Sequence, residues 1–268
     1  YYLTRAEASI LRRVANDIVA SFSPNVLVEL GPGSGEKTIM LLEQLTQNST
    51  KPVYVPLDIS ESYLEQLRAQ FSAGYPGLQV RPALCDISRE LKLPGMLTGP
   101  LLVAFLGSTI GNFDRVDALA LMQRVHAVMR AEDRFLLGFD LKKDEAVLNT
   151  AYNDRAGVTA EFNLNVLRVL NRELDCDFDL NAFEHCAFYN TLEGRIEMHL
   201  VSQREQDVRI DSLGFVHVGK GESIRKEISC KYERAEIEEL LGQAGFEAVR
   251  FDTDAAGASG LILAARAQ

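Results

Sequence analysis

The stretch VELGPGSGEKT, residues 28–38, places a glycine-rich turn between an apolar run and a helix-like segment. It nearly matches the phosphate-binding loop G-x-x-x-x-G-K-[ST], because Gly31 is followed by Lys37 and Thr38. That loop needs a glycine directly before its lysine, and Glu36 stands there instead. The dinucleotide fingerprint G-x-G-x-x-G fails at the same residue. What remains is G-x-G-x-G after a strand, a turn on which a cofactor can lie against bare backbone.

Apolar runs alternate with amphipathic windows on both sides of this turn. Because parallel strands need crossover connections, this alternation predicts a parallel sheet with helices on both faces. The predicted strands are residues 26–30, 53–57, 78–84, 101–106 and 134–140, and the predicted helices are residues 36–46, 60–72 and 115–130.

The pattern changes after residue 141. Residues 158–173 predict a helix, and alternating stretches such as RIEMHLVS (195–202) and VRIDSLGFVHVG (208–219) predict longer strands. Beyond residue 231 the first pattern returns, with a helix that ends at Gly245 and two further strand candidates, FEAVRFD and SGLILAARA. Residues 142–231 are therefore expected to form an inserted second domain.

Composition limits the classes of partner. The chain has 268 residues and a net charge of −10, which argues against nucleic acid or an anionic membrane as partner. Its apolar runs are too short to cross a bilayer, and no signal peptide is visible. The four cysteines form no C-x-x-C pair and the four histidines no H-x-x-x-H pair, so no metal site is expected. We predict a cytoplasmic protein that acts on a small molecule, and, since it starts at Tyr1, a segment of a longer chain.

Two aspartates bear on the identity of the cofactor. Asp58 ends the second predicted strand, where a carboxylate can accept hydrogen bonds from the hydroxyls of an adenosine ribose, and Asp86 follows the third, where it can meet the adenine amino group. With the missing last glycine and the two closing strands, they favour S-adenosylmethionine (SAM) over NAD, because SAM has no pyrophosphate. Gly31 and Gly33 would then face the cofactor, and Lys37 would pair with its methionine carboxylate. An ordinary strand–helix turn with two helix-capping aspartates is the alternative.

Candidate substrate residues lie in three places. Asn112 follows the fourth strand in FLGSTIGNF, where it can hold an amine or carbonyl or merely close a turn. Strand alternation in RKEISCKY puts Glu227 and Ser229 on one face, a pair that suits a heterocycle with two ring nitrogens, although a solvated edge strand is the alternative. Met198 shares an apolar face with Ile196 and Leu200, a pattern more typical of core than of a pocket wall. The residues alone leave Tyr1 and Tyr152 ambiguous.

Taken together, these stretches resemble the histidine-specific SAM-dependent methyltransferases, which make hercynine in the first step of ergothioneine biosynthesis. The resemblance covers nearly the whole chain and is most specific in its later stretches. The matching stretches are YYLTRAE, VELGPGSGEKT, YVPLDIS, FLGSTIGNF, AYNDRAGVTAEFNLNVLRVLNREL, FEHCAFYNTLEGRIEMHLVS and GESIRKEISCKY.

The resemblance implies a role for each candidate. Tyr1 and Asn112 would hold the α-amine as the catalytic residues, and Tyr152 would hold the carboxylate of histidine. Glu227 and Ser229 would bind the imidazole, with Met198 lining the pocket. The residues implied for SAM are Gly31, Lys37, Asp58, Asp86 and Ile87.

The resemblance also implies the architecture. We expect an α/β class I SAM-dependent methyltransferase fold with a Rossmann-like seven-stranded sheet and an inserted α+β substrate-binding domain. Residues 6–141 and 232–268 would bind SAM, and residues 142–231 with residues 1–5 would bind the amino acid. Catalysis would come mainly from holding donor and acceptor in a near-attack geometry. The sequence identifies no strong general base.

Two departures from the family pattern bear on the acceptor. Leu3 stands where the family usually has proline, and the family segment upstream of Tyr1 is absent from this sequence. Related fungal enzymes methylate tryptophan derivatives, but Glu227 together with Met198 is the histidine-type combination. The alternatives are therefore an N-methyltransferase of another aromatic amino acid, such as a tryptophan derivative, and a non-enzymatic SAM-binding module.

Overall fold

The chain divides into two units in a computed structural model, which describes residues 2–211 and 214–267, apart from the side chain of Tyr2. The larger unit comprises residues 1–142 and 232–268, and the smaller unit comprises residues 143–231. The helices are α1 Tyr2–Phe22, α2 Glu36–Asn48, α3 Glu61–Gly74, α4 Arg115–Val128, α5 Glu145–Tyr152, α6 Val158–Glu173 and α7 Arg234–Gln243. The strands are β1 Val26–Leu30, β2 Val53–Asp58, β3 Gln79–Val80, β4 Ala83–Leu84, β5 Leu101–Phe105, β6 Arg134–Asp140, β7 Phe183–Asn190, β8 Arg195–Ser202, β9 Gln206–Ile210, β10 Gly214–Val218, β11 Ser223–Cys230, β12 Phe246–Thr253 and β13 Ser259–Arg266.

The larger unit is built on one sheet with the strand order β12-β13-β6-β5-β1-β2-β3, and β4 also pairs with β2. The pairs β1–β2, β1–β5, β5–β6, β2–β3 and β2–β4 are parallel, as predicted. Strand β13 runs antiparallel to both β6 and β12. When β3 and β4 are counted as one interrupted strand, the sheet has seven strands.

The interruption between β3 and β4 lies at Pro82, inside the single strand predicted over residues 78–84. Proline has no N–H to give to a ladder, so the pairing with β2 stops at Val80 and resumes at Ala83. The strand direction is kept, and the chain still reaches Asp86 beyond the end of β4. The prediction of one continuous strand was wrong, but the position of its end was not.

Helix α1 is a buried element that the sequence reasoning did not predict. Its apolar residues Ile10, Leu11, Val14 and Ile18 recur at helical spacing, and all are at most 1% exposed. They share a core with residues of α2, α3 and the central strands. Residues 2–5, which we expected to accompany the insert, instead form the first turn of this helix in the larger unit.

The smaller unit contains a three-stranded antiparallel sheet, β11-β8-β7, and a separate hairpin, β9-β10. Helix α6 was predicted over residues 158–173 and has those bounds. The stretch 208–219, expected as a longer strand, contains part of β9 and all of β10, and the two strands pair antiparallel. Residues of α6 pack with residues of β7, β8 and the hairpin in one apolar cluster.

The larger unit joins its two chain segments where the insert leaves and returns. Leu141 and Tyr232 form a parallel bridge. The amide of Tyr232 donates to the carbonyl of Asp140 at 3.0 Å, and the amide of Lys142 donates to the carbonyl of Tyr232 at 3.0 Å. The chain therefore enters and leaves the insert at neighbouring points of the larger unit.

A buried carboxylate directly before β6 connects the start of β5 to the loop after α4. Asp133 is fully buried and accepts hydrogen bonds from the amides of Leu101 and Arg130, each at 2.7 Å. Asp133→Ala leaves both donors without this partner, so we expect the free energy of unfolding to fall by about 2 kcal/mol or more. Urea unfolding measures the change. Glu247→Ala, at an exposed position of β12, should change it by less than about 0.5 kcal/mol, and equal losses in the two variants would contradict the role of Asp133.

Candidate functional site

The glycine-rich turn follows β1 and leads into α2. Gly31 has φ 60° and Gly33 has φ 52°, a left-handed backbone that favours glycine. A Cβ atom at either position would have no heavy atom within 4 Å. The turn therefore offers bare backbone with open space beside it at the carboxyl end of the sheet, which fits a cofactor lying against it.

Glu29 supports this turn from inside the sheet, and sequence reasoning had noted only its acidity. It is 2% exposed, and its Oε2 accepts hydrogen bonds from the hydroxyls of Thr38 and Tyr54, both at 2.7 Å. Burial raises the pKa of Glu29 to about 7, although the two hydroxyls and Lys37 oppose the shift. The carboxyl thereby ties strand β1 to α2 and β2 on either side of the turn.

Asp58 and Asp86 follow neighbouring strands, because Asp58 ends β2 and β4 pairs with the end of β2. Asp58 Oδ1 accepts a hydrogen bond from the amide of Ser60 at 2.9 Å. Asp86 Oδ1 accepts from the amide and hydroxyl of Ser88 at 3.0 and 2.5 Å, and the hydroxyl lowers the pKa of Asp86. Each aspartate thus closes a local turn with Oδ1, and the Oδ2 of Asp86 lies 3.2 Å from Arg89 Nε in an ion pair at the surface. Ile87 is half-buried, and its carbonyl accepts from Arg124 at 3.2 Å.

Lys37 has a protein partner that the sequence reasoning missed. Its Nζ donates to Glu7 Oε2 at 2.5 Å, and the two Glu7 oxygens also accept from the amide of Gly107 at 3.0 and 2.8 Å. Glu7 is 1% exposed. A Cβ at Gly138 would lie 1.8 Å from Glu7 Oε1, so a side chain at this position of β6 would displace the carboxylate. A single acid on the apolar face of α1 was the available sequence signal.

Asn112, one of the two predicted amine-binding residues, lies in the turn after β5. Asn112 is exposed at the end of a short 3-10 helix, Thr109–Asn112, which follows β5. The preceding Gly107 and Ser108 both have positive φ, at 83° and 58°, so the backbone turns sharply after the strand. Tyr1 lies outside the described residues.

The remaining candidates lie together in the smaller unit. Glu227 pairs with Met198 across β11 and β8, and Ser229 pairs with Ile196. Met198 is 3% exposed and shares an apolar cluster with Tyr152, the last residue of α5. The hydroxyl of Tyr152 donates to Ser229 Oγ at 3.0 Å. Glu227, Ser229, Met198 and Tyr152 therefore form one cluster.

Glu227 is held beside a cation. Lys226 Nζ donates to Glu227 Oε2 at 2.6 Å and lies 3.9 Å from the ring centroid of Phe162. The register of β11 against β8 shifts between Arg225 and Glu227. This irregularity in the strand re-aims the side chains that follow it. The Glu227 side chain remains 27% exposed, which suits a carboxylate that meets a ligand.

Lys231 also belongs to this cluster, and the sequence analysis did not identify it. Lys231 directly follows β11 and is fully buried. Its Nζ donates to Ser229 Oγ at 2.6 Å and to the Tyr152 hydroxyl at 3.0 Å. The quoted stretch RKEISCKY contains this lysine, and an i, i+2 spacing from Ser229 places both side chains on one face of an extended strand.

Among residues 2–211 and 214–267, no helix combines the length and apolar character needed to cross a membrane. Within the same part of the chain, histidine, cysteine, aspartate and glutamate side chains form no group of three or more that could hold a metal ion.

The chain is similar to known methyltransferases over nearly its whole length. Residues 1–266 match the model of a family described as histidine-specific methyltransferase, SAM-dependent. The chain is 42% identical over 268 residues to the histidine N-alpha-methyltransferase of Mycolicibacterium smegmatis, covering 99% of this chain and 83% of that protein. It is 29% identical over 273 residues to the L-tryptophan methyltransferase of Psilocybe serbica, covering 91% of this chain and 75% of that protein.

A solved structure is similar to the fold. The crystal structure of a SAM-dependent methyltransferase from Clostridium acetobutylicum has a TM-score of 0.55 and 13% sequence identity, and the match covers 96% of this chain and 91% of that one. At this identity the likeness concerns the fold alone. It confirms the predicted α/β class I SAM-dependent methyltransferase fold.

The raised pKa of Glu29 predicts a pH-dependent stability. The folded pKa of about 7 exceeds the usual 4.5, so the contribution of Glu29 to stability is complete below pH 4.5 and is lost as the pH rises to about 7. Glu29→Gln removes this titration. The free energy of unfolding of the variant, relative to the wild type, should therefore rise by about 3 kcal/mol between pH 4.5 and pH 7 or above.

Urea unfolding at several pH values measures this difference. The matched control is Glu247→Gln, which makes the same replacement at an exposed position of β12. A difference for Glu29→Gln that stays constant from pH 4.5 to pH 8 would show that Glu29 does not titrate in this window.

Proposed function

Because the chain belongs to the family of histidine-specific, SAM-dependent methyltransferases, we propose that it methylates the α-amino group of L-histidine three times. The product is hercynine, and the reaction is the first step of ergothioneine biosynthesis. The observation that carries the proposal is the pair Glu227 and Ser229, side by side on β11 with Met198 opposite. The 42% identity to a histidine N-alpha-methyltransferase supports it.

The residues of the larger unit fit SAM. The open turn at Gly31 and Gly33 leaves room for a cofactor against bare backbone. In our proposal Asp58 accepts from the ribose hydroxyls and Asp86 from the adenine amino group, with Ile87 beside it. Lys37, paired with Glu7 in this structure, would also attract the methionine carboxylate. When bound, SAM supplies an electrophilic methyl group to a neutral amine.

The cluster in the smaller unit fits the histidine side chain. The Glu227 carboxylate only accepts hydrogen bonds, so it takes the ring N–H, while the Ser229 hydroxyl can donate to the other nitrogen. Met198 and the Tyr152 ring provide an apolar wall. Tyr152 would also hold the histidine carboxylate, for which its hydroxyl hydrogen has to turn away from Ser229.

The amine would be held by neutral groups, the hydroxyl of Tyr1 and the amide of Asn112. A carboxylate beside the amine would stabilise its ammonium form, which has no lone pair and cannot accept a methyl group. Each methylation also removes one N–H donor, so a site with several strong acceptors would release or trap the substrate after one round. Neutral partners allow the nitrogen to turn and present its remaining lone pair. These residues would act by orientation. We propose a cytoplasmic location for this activity.

The product of the reaction tests the proposal. The chain, incubated with L-histidine and excess SAM, should yield trimethyl-histidine with all methyl groups on the α-amine, because Glu227 and Ser229 occupy the ring nitrogens. A mass-spectrometric time course with fragment ions measures the number and position of the methyl groups. L-Tryptophan and L-phenylalanine are the control acceptors. A reaction that ends at the monomethyl product, methylates the imidazole or prefers L-tryptophan would contradict the assignment.

Glu227→Gln tests the ring assignment. An amide is a weaker acceptor than a carboxylate, and losing a charge-assisted hydrogen bond typically reduces efficiency by about tenfold or more. We therefore expect kcat/KM for histidine to fall by at least that factor while SAM affinity, measured by calorimetry, stays unchanged. Glu184→Gln, at an exposed position of β7 in the same unit, is the matched control. If Glu227→Gln weakens SAM binding or lowers turnover of every accepted amino acid equally, the residue has a structural role.

A further inference from the structure

Lys231 is a buried cation in the cluster proposed to bind the substrate ring. Its side chain is completely buried, and Nζ lies 2.6 Å from Ser229 Oγ and 3.0 Å from the Tyr152 hydroxyl oxygen. The same Nζ lies 5.0 Å from the centroid of the Tyr152 ring. Both hydroxyls belong to predicted substrate-binding residues, so this ammonium group acts directly on the hydrogen bonds that they can make.

The chemistry of the ammonium group limits what the two hydroxyls can do. An ammonium has three N–H donors and no acceptor, so each hydroxyl oxygen must direct a lone pair towards Nζ. Tyr152 in turn donates its hydrogen to Ser229 Oγ. The Ser229 oxygen therefore accepts two hydrogen bonds, and both of its lone pairs are occupied. The remaining capacity of Ser229 is to donate its own hydrogen.

We propose that Lys231 is a positioning residue that makes Ser229 a hydrogen-bond donor towards the substrate. This inference rests on the proposed function. Glu227 then offers an acceptor and Ser229 a donor, so the pair recognises a ring with one N–H and one bare nitrogen. Neutral imidazole has that pattern in either tautomer, and the fixed polarity selects the one whose N–H faces Glu227. A ring that presents N–H to Ser229 is rejected, because two donors then meet.

The charge of Lys231 reinforces this polarity when Tyr152 turns towards a ligand. With the Tyr152 hydrogen directed to a carboxylate, Ser229 Oγ still accepts from Nζ at 2.6 Å. The positive charge holds the oxygen end of the hydroxyl dipole towards itself and the hydrogen end away. A charged donor also strengthens the hydrogen bond that the polarised hydroxyl makes next. The donor role of Ser229 is therefore kept in the bound arrangement.

The hydrogen bonds of neighbouring side chains also fix the position of Tyr152. His185 Nε2 lies 3.0 Å from the Tyr152 carbonyl, so this nitrogen carries the hydrogen and donates it. Its Nδ1 accepts from the buried side chain of Asn163 at 2.9 Å. Lys231 thus acts on a tyrosine whose backbone is held independently, and removing the lysine changes the polarity of the hydroxyls more than the position of α5.

Ring analogues measure the polarity directly. The two pyrrolyl-L-alanines each replace one ring nitrogen of histidine by a carbon and keep N–H at the other. One of them presents N–H to Glu227 and no acceptor to Ser229. Calorimetric titration of the chain saturated with S-adenosylhomocysteine, at a pH where imidazole is neutral, compares L-histidine with both analogues without turnover. In the wild type L-histidine should bind more tightly than either analogue by about tenfold or more.

The variants separate a positioning role from a structural one. In Lys231→Met the advantage of histidine over the analogue without the acceptor should fall to about threefold or less, because Ser229 is no longer fixed as a donor. Ser229→Ala should abolish that advantage, and adding Lys231→Met to Ser229→Ala should then change it no further. Lys220→Met, at an exposed position of the same unit, is the control and should keep the wild-type advantage.

The outcomes are distinguishable. If Lys231→Met binds histidine with the wild-type advantage, the role of Lys231 is overturned and the proposed function stands. If the wild type does not bind histidine, both are overturned. Should thermal unfolding show that Lys231→Met does not fold, Lys231→Gln gives the same comparison, because its amide can turn either oxygen or nitrogen to Ser229 and fixes neither polarity. Loss of the advantage in Lys231→Gln supports the inference, and its retention overturns it.

Discussion

One buried carboxylate links helix α1 to three other parts of the larger unit. Glu7 accepts from the amide of Gly107 after β5 and from Lys37 in α2, and β6 leaves space for it by having glycine at residue 138. A buried charge is tolerated only where it is paired and hydrogen-bonded. Four elements of the larger unit therefore have to meet correctly before this carboxylate is satisfied. Two of them, the start of α2 and the turn after β5, carry residues proposed to bind SAM or substrate.

Buried ionisable groups in the two units are stabilised in different ways. Glu7 has a cation beside it, whereas the hydrogen bonds of Glu29 come from two hydroxyls, and burial raises the pKa of Glu29 to about 7. In the smaller unit the pattern is reversed, because the ammonium of Lys231 donates to two hydroxyls. Around Glu29 and Lys231 the partners are hydroxyl groups, which can adapt to either because a hydroxyl can act as donor or acceptor. The charge then decides which of the two roles is left for a ligand.

Local patterns in the sequence predicted most elements of the sheet. Apolar runs identified β1 and β6 with their observed bounds, and helical spacing identified α6 in the same way. Helix α1 was missed although its apolar residues have helical spacing, and Pro82 should have divided the third strand. These signals were present in the sequence and local in nature.

The candidate site was predictable only in part, for a physical reason. Glu227 and Ser229 are two residues apart on one strand, so alternation alone puts them together. Glu7 meets Gly107 a hundred residues further along the chain, and Lys231 meets Tyr152 across 79 residues. Such contacts depend on the packing of distant elements, which periodicity does not encode. The resemblance to a family supplied roles for single residues, but it did not supply the buried charges that position them.

The bridge between Leu141 and Tyr232 has a consequence for how such a protein can diversify. Because this contact and the flanking hydrogen bonds hold the two ends of the insert as neighbours, residues 143–231 are attached to the larger unit as a loop is attached to its stem. The sheet of the larger unit holds the two ends of this loop together. The entropic cost of closing the loop grows only slowly with its length. Insertions, deletions and exchanges of sequence between the two ends therefore leave the register of the seven-stranded sheet untouched. Evolution can rebuild the inserted part for a new ligand while inheriting the other part unchanged.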